Sequence, residues 1–149
     1  MVSRPRTSFT NTSTVIRVCF DANIFISAFL FSGKPAKIFD LAVERKIVAV
    51  TSPAIIAEIA SVLERKFDWG ERDIKKQLKV VSSVCQIITP KKRIHEIVYG
   101  PDNKILECAV EGKTDYIVSG DKKHLLSLGK FEGIGIVSAD RFLKIIGSI

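Results

Sequence analysis

Short, largely apolar segments alternate with amphipathic ones along this chain, and that alternation constrains its fold more than any other feature. Residues 15–20, 47–50, 85–88, 116–118 and 134–137 are brief apolar runs rich in β-branched residues, and the first halts at the polar Asp21-Ala22-Asn23. They read as buried strands. Ile38, Phe39, Ala42 and Val43 recur at helical spacing after Pro35, and Ile55, Ile56, Ile59, Val62 and Leu63 do so after a capping Ser52 and a helix-starting Pro53. Residues 71–84 give a third amphipathic helix on Ile74, Leu78 and Val81. Gly100-Pro101-Asp102-Asn103 reads as a loop and helix start, with Ile105, Leu106, Ala109 and Val110 inward and Gly112 as the stop. A short helix over 121–126 and a last one over 139–146 complete the pattern. Strands that are apolar throughout and separated by helices need cover on both faces. The expected class is α/β, a three-layer α/β/α arrangement around a central parallel sheet of about five strands.

A length of 149 residues, 46% of them hydrophobic, suffices for one well-buried core and argues against a second domain. Residues 1–14 carry Arg4 and Arg6, no acid and many Ser and Thr, and they read as a disordered leader before a domain over 15–149. No apolar run reaches the ~18–20 residues that a membrane-spanning helix needs. Cys19, Cys85 and Cys108 cannot all pair and lack C-x-x-C spacing, so reduced thiols and a cytoplasmic location are expected. A formal charge of +7 favours an anionic partner.

In open parallel sheets, ligands bind beyond the carboxyl ends of the strands, so the acids there matter most. Asp21 directly follows the first strand, and Asp121 follows the fourth after a Ser-Gly turn. Asp102 opens a helix whose start a right-handed crossover brings to the same edge. Glu58 borders the buried stripe of the helix after Pro53. Crowded carboxylates repel one another unless a cation lies between them. Oxygen ligands without histidine or thiolate suit Mg2+ or Mn2+, and such ions support phosphodiester hydrolysis.

These residues also stand in a recognisable pattern. The stretch Val18-Cys19-Phe20-Asp21-Ala22-Asn23-Ile24-Phe25-Ile26-Ser27-Ala28 resembles the opening motif of PIN domains. Ala57-Glu58-Ile59 with Val62-Leu63 and Arg65-Lys66 resembles the second motif. Asp102-Asn103-Lys104-Ile105-Leu106-Glu107-Cys108-Ala109 resembles the third, and Asp115 to Asp121 with Leu125-Leu126 the fourth. The resemblance runs in order from residue 15 to residue 146 and is nearest to the VapC-like toxin branch of toxin–antitoxin pairs. That branch often carries a further acid before the third motif, where this chain has Gly100-Pro101. The resemblance implies a Mg2+- or Mn2+-dependent ribonuclease acting on single-stranded RNA, with Asp21, Glu58, Asp102 and Asp121 as catalytic and metal-binding residues. It also implies an antitoxin protein as partner and a homodimer, to which the apolar run 24–31 and Trp69 would contribute surface.

Asn23 is expected to orient Asp21 or bind phosphate, or else to be an ordinary turn residue. Ser119 is placed either beside a ligand carboxylate or as a helix cap, and Glu107 behind the site or paired with a lysine. Lys122 adjoins Asp121 and could grip RNA, although charge runs such as Lys91-Lys92-Arg93 are usually solvated faces. His95 and His124 lack metal-site spacing and read as structural or surface residues. Two other functions compete with the ribonuclease. A non-catalytic RNA-binding or protein-interaction module would gain nothing from an acidic pocket. A phosphatase with an Asp nucleophile wants a second Asp two residues after Asp21, where this chain has Asn23.

Overall fold

A computed structural model describes residues 15–97 and 100–147, so the expected leader over 1–14 lies outside the described residues. The elements are β1 (Arg17–Phe20), α1 (Ala22–Leu30), α2 (Lys34–Val43), β2 (Val48–Thr51), α3 (Pro53–Phe67), α4 (Glu71–Val84) and β3 (Gln86–Ile87). They continue with α5 (Gly100–Glu111), β4 (Tyr116–Val118), α6 (Leu125–Leu128), β5 (Lys130–Phe131), β6 (Ile134–Val137) and α7 (Ala139–Gly147).

The strands form one sheet in the order β3-β2-β1-β4-β6-β5. The five expected strands are all present and mutually parallel where they adjoin, as the α/β reading requires. A sixth, β5, was not expected. It pairs antiparallel with β6 through Glu132 and Gly133, both at positive φ, the conformation that a two-residue hairpin turn matching the strand twist demands. Val18, Cys19, Phe20, Ile117 and Val118 are fully buried, which is why the central strands read as continuous apolar runs.

The unexpected helix is α1. Its sequence, ANIFISAFL, is polar only at Asn23 and Ser27 and so carries too weak an amphipathic period for a sequence reading to find. It is a helix because Asp21 caps it, accepting from the Ile24 main-chain N–H at 2.9 Å, and because Ala22, Ile24, Phe25 and Ile26 are buried in the core. Phe25 stacks edge-on against Phe20 and Phe39, and α1 also packs on α2 and α3. Most of the apolar run 24–31 is thereby spent in the core, and Trp69 packs on it too; Phe31, 64% exposed, is the large apolar side chain of that run left outside. The other helices follow the sequence closely except α6, which was expected over 121–126 and forms at Leu125–Leu128, because 122–124 make the turn closed on Asp121. Ser52 caps α3 as its position before Pro53 suggests. Gly100-Pro101, expected in a loop, instead form the start of α5, where proline lacks only an N–H that a helix start leaves unpaired anyway.

Sequence order reverses at β1, since the chain moves outward to β2 and β3 and then returns through α5 to β4 on β1's other side. Right-handed crossovers in opposite directions assign α1 and α2 to one face and α5 to the other, while α3 packs on α1, α4 and α5. Accordingly α2 packs on α7 and α5 packs on β1, β2 and β4. The crevice at such a reversal is where parallel sheets place their ligands.

Candidate active site

Asp21 ends β1 at that crevice and is 6% exposed. One of its oxygens caps α1; the other accepts from the Ser119 hydroxyl at 2.5 Å. Ser119 is fully buried, and its oxygen also accepts from the main-chain N–H of Asp121 at 2.9 Å. A single hydroxyl thus ties the acid after β1 to the acid after β4. Burial pushes the Asp21 carboxyl above its usual range, opposed by the hydrogen bonds from Ser119, Ile24 and Gly120, while the charge of Asp121 adds to the rise.

Asp102 sits in the first turn of α5, 8% exposed. It is not the helix cap a sequence reading would allow, because α5 already begins at Gly100, and its Oδ2 is buried without a hydrogen-bond partner. Burial raises its carboxyl to about 7, and Asp121, through a shared hydrogen bond and its charge, then Asp21 and Glu58 through theirs, add to the rise. Asp121 behaves oppositely. Desolvation works to raise it, but the hydrogen bonds from Asp102 and from the main chain and ring of His124 outweigh this and hold it below the ordinary value. The two carboxyls are thus pushed in opposite directions, Asp102 up and Asp121 down.

Glu58 lies half-buried on α3, and its charge reaches Asp102. The charges of Asp121, Asp21 and Glu58 thus all act on Asp102, and of the four acids Asp102 and Asp121 offer ligand atoms within 4.8 Å of each other. The other candidates divide. Ser119 lies between two of the acids, whereas Asn23 is exposed on α1 and Lys122 is exposed beside Asp121. Glu107 is buried but faces away: it accepts from the Ile94 main chain at 2.9 Å and pairs with Lys104 at 3.4 Å. Asn103 and Glu111, four residues to either side, bind the main chain of Ile97 and Lys91 in the same manner, so this face of α5 fastens the strand of chain that precedes it.

His124 is the residue that sequence reasoning missed. Its Nδ1 lies 3.2 Å from Asp121 Oδ2 and 3.6 Å from Asp102 Oδ2, and the three side chains offer ligand atoms all within 4.8 Å of one another. The available signal was the three-residue spacing from Asp121, which one turn of chain closes into a contact. His95 is exposed on the segment before α5. The donor set fits a divalent cation. An orphaned, buried carboxylate oxygen that also feels the charges of Asp121, Asp21 and Glu58 is what a bound cation would satisfy.

Comparison with known proteins gives a family model described as PIN domain, matching residues 17–123. An uncharacterized protein of Methanocaldococcus jannaschii is 42% identical over 118 residues, which are 76% of this chain and 75% of that protein. Among solved structures, VapBC2 of Rickettsia felis, bound to a DNA fragment from its promoter, superposes with a TM-score of 0.59 at 12% identity, over 83% of this chain and 98% of the other. VapC20 of Mycobacterium tuberculosis, described as a Sarcin-Ricin loop cleaving toxin, gives 0.52 at 13% identity, over 79% and 98%. At such identities the two structures speak to the fold.

Proposed function

This chain belongs to the PIN domain family, and from that premise we propose that it is an endoribonuclease hydrolysing phosphodiester bonds of single-stranded RNA. Asp21, Glu58, Asp102 and Asp121 would hold Mg2+ or Mn2+ between them. The observation that carries the reading is the Asp102 carboxylate, buried and raised to about 7 with one oxygen unpartnered. Such a group is costly to bury, and a bound cation would offset that cost. When bound, the cation supplies Lewis acidity at a phosphoryl oxygen and activates water for attack.

The chain's own residues set the stage. Ser119 fixes the separation of Asp21 and Asp121, α1 holds Asp21 through its capping bond, and the packing of α3 on α5 brings Glu58 toward Asp102. Lys122 and Lys123, exposed next to Asp121, would meet the phosphates of a bound strand. The excess of 23 Lys+Arg over 16 Asp+Glu, with four of those acids gathered in one crevice, suits a polyanion drawn to a cation-loaded pocket. The likeness to VapBC2 and VapC20 supports placing the protein as the toxin of a toxin–antitoxin pair with a small protein partner. Among the described residues no helix is long and apolar enough to cross a membrane.

Cleavage of an end-labelled single-stranded RNA in millimolar Mn2+ tests this directly. Wild type should cleave and Asp21→Asn should not, while circular dichroism shows the same fold. Asn keeps an oxygen for the Ile24 N–H but lacks the charge a hard cation needs. A wild type that binds Mn2+ and RNA without cutting would favour the non-catalytic module, and cleavage that survives Asp21→Asn would betray a contaminating nuclease.

A further inference from the structure

Among the described residues, Asp102, Asp121 and His124 form the group whose ligand atoms gather within 4.8 Å. We propose that His124 is itself a metal ligand, adding an imidazole nitrogen to the carboxylate set and turning the site's preference from Mg2+ toward Mn2+. The inference rests on the ribonuclease reading only in taking the same crevice as the cation site.

The geometry carries it. Two neighbouring ligands on an octahedral ion with bonds of ~2.1 Å are about 3 Å apart. The Nδ1 of His124 stands 3.2 Å from Asp121 Oδ2 and 3.6 Å from Asp102 Oδ2, close to that edge length on both sides. The Asp102 oxygen involved is the buried one without a hydrogen-bond partner, in a residue more than nine-tenths buried, so the cluster contains an atom aimed inward that the protein leaves unsatisfied. His124 immediately precedes the short helix α6, and its main-chain N–H donates to Asp121 Oδ1 at 3.2 Å, as does that of Lys123 at 3.1 Å. The turn after β4 therefore pins the imidazole and the carboxylate to each other before any ion arrives. Mg2+ demands oxygen ligands and keeps much of its water, whereas imidazole nitrogen suits the later divalent metals, and Mn2+ accepts both.

Pulsed electron paramagnetic resonance of the Mn2+-loaded wild-type protein reads this without reference to activity. A directly bound imidazole imposes nitrogen modulation on the Mn2+ echo, and growth on 15N-histidine should change its frequencies. His95 is the chain's other histidine, so the modulation should persist in His95→Ala and vanish in His124→Ala. Competition between the two ions should show His124→Ala losing Mn2+ preference by about tenfold or more. Mn2+ bound in the wild type without nitrogen modulation would overturn the proposal and leave the carboxylate site standing. Failure to bind Mn2+ at all would overturn both. Because the wild type and its 15N-labelled form carry the decisive spectrum, a variant that misfolds does not shelter the proposal.

Discussion

Asp102→Asn should make the metal-free protein more stable at pH 8, and by an amount the structure sets. The Asp102 carboxyl is raised from 3.8 to about 7 in the folded state. Between those values the native state holds a proton that the unfolded chain has lost, so stability falls as pH rises, by up to about 1.4 kcal/mol per unit. Above pH 7 the full penalty applies, with a ceiling of about 4 kcal/mol. Asparagine removes the charge and the titration while its amide can still donate to Asp121, so a gain of about 2–4 kcal/mol at pH 8 is expected, near zero at pH 4. For a chain of this size that is roughly 5–15 °C in melting temperature. Asp21, raised in the same sense, leaves some slope in the variant; Asp121, lowered, contributes stability lost at more acid pH. The assay is thermal melting in EDTA across pH 4–8, then with millimolar Mn2+. Metal should raise the wild type by mass action and barely move the variant. A variant that melts at or below wild type at pH 8, or whose advantage does not shrink toward pH 4, refutes the claim that crowded carboxylates burden the native state.

Ser119→Ala should cost about 1–3 kcal/mol, since it removes the donor to Asp21 and the acceptor for the Asp121 N–H in a fully buried place. It should also lower cleavage by about 10–100-fold, because the two acids lose the group that spaces them; urea denaturation and the RNA assay measure each effect. Phe25→Ala should destabilise by about 3–5 kcal/mol by opening a cavity where α1 meets Phe20 and Phe39, read from the denaturation midpoint. Light scattering should give the mass of two chains, with Phe31→Asp shifting the equilibrium toward one; a mass of 16.5 kDa at high concentration removes the homodimer.

Length, alternating apolar runs and their periodicity are local properties, and they sufficed for the parallel sheet, for α3 and α4 nearly to the residue, and for the nearness of Asp21 and Asp121. An acid that follows a buried strand must emerge at that strand's end, and parallel strands share their ends, so the convergence of Asp21 and Asp121 was written in the order of residues. What stayed hidden depended on neighbours distant in the chain. Helix α1 is polar only at Asn23 and Ser27, and only packing against α2, α3 and the Phe20 and Phe39 rings reveals why a segment with seven apolar residues of nine coils rather than extends. Glu107 and Asp102 lie five residues apart on one helix, yet the first serves the chain segment before α5 while the second is buried against Asp121. That Asp102 is raised while Asp121 is lowered was likewise decided by tertiary surroundings. His124 looked like a surface residue because the motif fixes only its distance from Asp121; its place between two carboxylates required α5, far away in sequence, to deliver Asp102 to the turn after β4.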